Sequence, residues 1–106
     1  MVREVSPAEL VAMLAGDPAP LLLDVREAWE LEIARLPAAR HVPMAELAAR
    51  LGELDRTRTV VVMCRSGGRS LSVARYLVAQ GYPSVANLTG GILAWRRDVD
   101  PALATY

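Results

Sequence analysis

The chain has 106 residues, 53% of them hydrophobic and 23% charged, which suits one packed domain rather than a disordered segment. Twelve basic residues, all of them arginine, balance twelve acidic ones, so no field of one sign marks a binder of nucleic acid or membrane surface. One cysteine and one histidine exclude an internal disulfide and a Cys/His zinc set, and nothing else suggests a metal or cofactor. Met1 to Glu4 show no apolar leader core, and no apolar run is long enough to span a bilayer. A reducing, cytoplasmic location is expected, and it suits a free thiol.

In chain order, Val2 to Val5 is a short edge-strand candidate. Ser6, Pro7 and Glu9 predict a helix start, with Ser6 as N-cap and Glu9 closing a capping box. Leu10, Met13 and Leu14 continue at helical spacing until Gly16. Leu21 to Val25 is a continuous apolar run interrupted only by Asp24, the pattern of a strand covered on both faces. Arg26 to Ile33 predicts a short helix with Trp29 and Ile33 on one face. Arg40 to Val42 is a strand candidate. Pro43 then opens a predicted helix with an apolar stripe of Met44, Leu47, Ala48, Leu51 and Leu54. Thr59 to Met63 is the strongest strand in the chain. Leu71 to Gln80 has helical spacing, Val85 to Leu88 is a fifth strand, and Gly90-Gly91 opens a last helix carrying Trp95. Residues 101–106, from about 100, are expected as a loose C-terminal tail on a single domain spanning 1–106. Strands alternating with helices give the α/β class, with a mainly parallel five-stranded sheet flanked by helices.

Ligands of open α/β sheets sit at the carboxyl ends of strands, and Cys64 falls there. The loop Cys64-Arg65-Ser66-Gly67-Gly68-Arg69-Ser70 joins the best strand to a helix. Gly67 and Gly68 allow it to curl with N–H groups inward, a nest for anions. The helix beginning near Ser70 adds its positive end, and Arg65 and Arg69 add charge. A thiol in such a field ionises readily, so Cys64 is the candidate nucleophile, with no histidine required.

Three stretches together resemble the rhodanese family of sulfurtransferases. They are Leu22 to Glu30, similar to the family's "DVRE..E" segment; Cys64 to Ser70, similar to its active-site loop; and Gly81-Tyr82 with Val85 to Ile92 and Trp95, similar to its closing segment. The resemblance implies transfer of a sulfane sulfur from a thiosulfate-like donor to a thiol or cyanide acceptor through a Cys64 persulfide. Cys64 is then catalytic. Arg65, Ser66, Gly67, Gly68, Arg69 and Ser70 bind the sulfur and steer an anionic donor, and Asp24, Arg26 and Glu30 support them. Glu30 is expected to influence donor choice, because some family members carry a basic donor-binding residue near this point.

Two alternatives stand beside this reading. Phosphatases and arsenate reductases of this fold have a loop one residue longer than the four residues between Cys64 and Arg69. A persulfide carrier that docks to a sulfur-accepting protein would need the same loop. Asp24 and Arg26 are expected to bridge and brace the neighbouring loop, His41 to be structural or solvated, Trp29 and Trp95 to anchor the core or rim the pocket, and Met13, Met44 and Met63 to fill the core.

Overall fold

The computed structural model describes residues 1–106. Five strands form one sheet: β1 (Val2–Val5), β2 (Leu21–Asp24), β3 (Arg40–His41), β4 (Val60–Met63) and β5 (Val85–Leu88). Their spatial order is β1-β5-β4-β2-β3, and every neighbouring pair is parallel. Four α-helices accompany them: α1 (Pro7–Leu14), α2 (Ala28–Ile33), α3 (Gly68–Ala79) and α4 (Gly91–Asp98).

The central strand β4 is buried along its whole length, which explains its uninterrupted apolar sequence. Side chains alternate across the sheet. Val60 and Val62 join the core cluster containing Val73, Ala74 and Leu77 of α3. Val61 and Met63 join the opposite cluster, with Leu10 of α1 and Ile92 of α4. α1 starts as its sequence predicts: the Glu9 N–H donates to Ser6 Oγ at 3.1 Å, and the Ser6 N–H donates to Glu9 Oε1 at 3.0 Å.

Three expectations are corrected. The segment after Pro43 is not an α-helix but two 3-10 helices, Met44–Glu46 and Ala48–Glu53. The Met44 N–H is drawn to the Val25 carbonyl at 3.0 Å, which keeps the start of the segment tied to the sheet. Its later bonds, such as Arg50 N–H to Leu47 O, close over three residues instead of four. Leu47 and Leu54 still reach the core, but Met44 is exposed.

The second correction concerns the helix after β2. It begins at Ala28, because the Arg26 N–H is taken by Asp24 Oδ1 and Glu27 serves as N-cap. Trp29 is 55% exposed and Ile33 39%, so neither is a core anchor; Glu30 is the residue this helix buries. Trp29 instead meets the Tyr106 ring edge-on, with centroids 5.9 Å apart. Trp95 does pack against the second core cluster.

The third concerns the C-terminal residues. Leu103 and Tyr106 pack against the second core cluster, and Tyr106 bonds to three residues around the Cys64 loop. The segment is docked, in contrast to the loose tail expected from its sequence.

Gly91 fixes how α4 meets the sheet. Its φ is +59°, and a Cβ there would overlap the carbonyls of Cys64 and Arg65. Gly91→Ala is expected to destabilise the fold by about 2–4 kcal/mol, combining left-handed strain with overpacking. Equilibrium denaturant unfolding measures this directly.

Candidate active site

Cys64 follows the last residue of β4 and is 1% exposed. The loop that leaves it is shaped from two sides. On one side, the Ile92 N–H donates to the Cys64 carbonyl at 2.9 Å, and the Leu93 N–H donates to the Arg65 carbonyl at 3.1 Å. These are N–H groups of the first turn of α4, which lack partners within their own helix. On the other side, Gly67 takes φ +109° as the N-cap of α3. With its carbonyls held away, the loop turns N–H groups toward sulfur. Gly67 N–H donates to Cys64 Sγ at 3.1 Å and Ser70 N–H at 3.4 Å, while Ser70 Oγ lies 3.3 Å from Sγ.

Burial opposes ionisation of the Cys64 thiol and is the strongest single influence on it. The Ser70 hydroxyl and the N–H groups of Ser70, Gly67 and Ser66 together outweigh it and hold the thiol below its ordinary value. Arg69 adds its charge nearby, since the two groups interact electrostatically.

The arginine side chains do not stand free over the loop. Arg69 makes a two-pronged bond with Glu30, at 2.7 and 2.8 Å. Glu30 also accepts the Glu27 N–H at 2.9 Å and the Tyr106 hydroxyl at 2.7 Å. Arg65 donates through Nε to the Tyr106 main-chain oxygen at 2.9 Å, with a second bond from Nη2. Its guanidinium lies 5.0 Å from the centre of the Tyr106 ring. Arg26, fully buried, pairs with Asp24 at 2.7 Å and also donates to Ala34 O and the Tyr106 hydroxyl. The structure thus brings Glu30 to Arg69 and places Asp24 and Arg26 one layer further out, joined through Tyr106. Ser66 lies in the turn itself and Gly68 is the first residue of α3, where nothing within 4 Å would obstruct a Cβ. His41 Nε2 lies 2.6 Å from the Arg26 carbonyl and makes no bond to the loop.

Two site neighbours escape the sequence reading. Tyr106 carries no periodic or motif signal. Asn87 did carry one: it is a polar residue inside a fully buried strand, and it receives the Ser70 hydroxyl at 2.5 Å.

A family model described as "Rhodanese-like domain" matches residues 6–98. The chain belongs to the rhodanese-like family. A sulfurtransferase of Allochromatium vinosum is 40% identical over 104 residues, covering 98% of this chain and 97% of that protein. The crystal structure of a rhodanese-like domain protein from Staphylococcus aureus is 27% identical and superposes with a TM-score of 0.84, covering 99% of each chain. A rhodanese-related protein from Thermoplasma volcanium superposes with a TM-score of 0.83 at 28% identity, covering 92% of this chain and 93% of that one. No helix of the chain is long and apolar enough to cross a membrane.

The Arg69 guanidinium lowers the Glu30 carboxyl from 4.5 to about 2, with burial opposing and the Glu27 N–H and Tyr106 hydroxyl assisting. A depressed carboxylate pKa contributes stability that is present above pH 4.5 and is lost as pH falls toward 2. Acid unfolding followed by circular dichroism is expected to show this. Wild type loses stability across that window relative to Glu30→Gln, whose side chain does not titrate there.

Proposed function

We propose that this chain transfers a sulfane sulfur through a persulfide on Cys64. The observation that carries the reading is the convergence of the Gly67 and Ser70 N–H groups on Cys64 Sγ, in a loop with four residues between Cys64 and Arg69. In the first half-reaction the Cys64 thiolate attacks the outer sulfur of the donor. A Cys64 S–S bond forms as the donor S–S bond breaks, and the leaving group departs with the electron pair. Thiosulfate leaves as sulfite, and the persulfide retains one negative charge. In the second half-reaction a thiolate or cyanide attacks that outer sulfur and restores the Cys64 thiolate. The turn from Arg65 to Ser70, with its inward N–H groups, would solvate the single charge in both states.

The supporting residues bear on the donor. Arg69 gives two of its N–H groups to Glu30, and Glu30 is itself held by two further donors. A thiosulfate dianion must compete with a buried carboxylate for that guanidinium. Glu30 therefore weights the site against thiosulfate and toward donors with one charge or none at the reacting sulfur. The same pairing disfavours phosphate-ester chemistry, which would draw on Arg69 as an oxyanion ligand. A thiol on a sulfur-accepting protein would serve as well as a small thiol in the second half-reaction.

Intact mass spectrometry tests the reading. After incubation with thiosulfate or a low-molecular-weight persulfide, the protein is expected to gain one sulfur, lose it to cyanide or thiol, and show no gain as Cys64→Ser. Absence of any gain from both donors would overturn the assignment. A stable gain without turnover onto small acceptors would favour a carrier. Steady-state assays add a second expectation: Glu30→Gln raises kcat/KM for thiosulfate about tenfold, equivalent to about 1.4 kcal/mol.

A further inference from the structure

A hydrogen-bonded chain runs from Cys64 to the edge of the sheet, and its direction can be derived from donors and acceptors alone. Asn87 Nδ2 lies 3.2 Å from both carboxylate oxygens of Glu4 on β1 and 3.3 Å from the Gly67 carbonyl. All of these only accept, so the amide nitrogen must face them. Glu4 is fixed in turn by the Thr89 hydroxyl at 2.8 Å. Asn87 Oδ1 is thereby turned toward Ser70 Oγ, 2.5 Å away. An amide oxygen cannot donate, so the one hydroxyl proton of Ser70 points at Asn87. In the thiol state Ser70 then offers a lone pair to Cys64 Sγ at 3.3 Å, and its hydroxyl favours ionisation only by turning that proton to sulfur.

Ionisation of Cys64 changes the demand. A thiolate needs the Ser70 proton, and Asn87 competes for it. If the proton turns to sulfur, Asn87 Oδ1 is left without a donor at a site 3% exposed. We propose that Asn87, oriented by Glu4, is a positioning residue that competes with the Cys64 thiolate for the single proton of Ser70 and so restrains ionisation of the nucleophile. The restraint acts only on the bare thiolate. In the neutral thiol and in a persulfide, Sγ carries no formal charge, and the Ser70 proton stays on Asn87. The network thus favours the sulfur-loaded state over the empty thiolate.

This inference rests on the reading of Cys64 as the sulfur-carrying nucleophile. Other charged groups around Sγ are Arg69 of α3 with Glu30 of α2 across it, Arg65 with Tyr106 along the loop, and the mutually paired Asp24 and Arg26 at the end of β2. None of them contacts Ser70 Oγ or Asn87, so the proposed competition is separable from their fields.

The test is titration of Cys64 by thiolate ultraviolet absorbance, checked by the pH dependence of iodoacetamide alkylation. Asn87→Leu is expected to lower the thiol pKa by about one unit, the size of one charge-assisted hydrogen bond. The same change in a Ser70→Ala background is expected to shift nothing, an outcome that a merely structural role for Asn87 does not produce. An unchanged or raised pKa in Asn87→Leu, or an equal fall with Ser70 absent, overturns the proposal. Should Asn87→Leu not fold, Glu4→Leu at the sheet edge probes the same chain. Its pKa fall should shrink in Ser70→Ala, leaving only the direct charge effect of Glu4, and a fall that survives whole overturns the proposal. Sulfur loading is measured alongside. Its absence would overturn the transfer reading while the titration still decides the role of Asn87.

Discussion

The active loop depends on where its carbonyls go. Cys64 and Arg65 would naturally leave their carbonyl oxygens unpaired as the chain leaves β4 and curls toward α3. The first turn of α4 takes both, through Ile92 and Leu93. Peptide planes are rigid, so a carbonyl fixed outward helps aim N–H groups inward. Gly91 permits this close approach, since any side chain there would overlap the same carbonyls. The chemistry of one strand-to-helix turn is therefore set by the start of a different helix, nearly thirty residues later in sequence.

The sheet places these two turns together. β4 and β5 are adjacent and parallel, so the loops after Met63 and Leu88 emerge at the same edge. β1 pairs with β5 on the far side, with Glu4 opposite Asn87. That register carries a surface carboxylate to the back of the Cys64 loop. Asn87 is tolerated in a strand buried on both faces because every polar atom of its side chain finds a partner. Ser70, also fully buried, is satisfied through the same side chain and the Cys64 sulfur.

Much of this was legible in the sequence, for reasons that are local. The capping box at Ser6 and Glu9, the apolar runs at Leu21 and Val60, and the glycines at Gly67 and Gly90 each encode their own backbone geometry. Cys64 at the end of the best strand followed from the same patterns. Where long-range pairing decided the outcome, local patterns misled. Trp29 lies exposed and Glu30 buried because a half-exposed cation on another helix, Arg69, takes the carboxylate. The stripe from Met44 to Leu54 had helical spacing, yet sheet-edge bonds at its start held it in tighter turns. Tyr106 could not be placed from sequence at all, since its partners Arg26, Glu30 and Arg65 lie 41 to 80 residues away.

The charges around the site cancel more fully than a count of arginines suggests. Asp24 neutralises Arg26 and Glu30 neutralises Arg69, each in a bonded pair. Arg65 pairs with no Asp or Glu; its guanidinium meets the main-chain oxygen and the ring face of Tyr106. What faces Cys64 is thus mainly the dipoles of the loop N–H groups, with the paired Arg69 nearby and the Glu4 carboxylate behind the loop. One negative charge is what a thiolate presents before reaction and what a deprotonated persulfide presents after it. On the transfer reading proposed above, N–H groups already aimed at sulfur would solvate both states without rearranging these ion pairs. A dianionic donor would have to compete with Glu30 for Arg69, which is costly because the displaced buried carboxylate would be left without its counter-charge. On that reading, selectivity among donors would follow from charge at the reacting sulfur and would be set by Glu30 and Tyr106, which need not touch that sulfur.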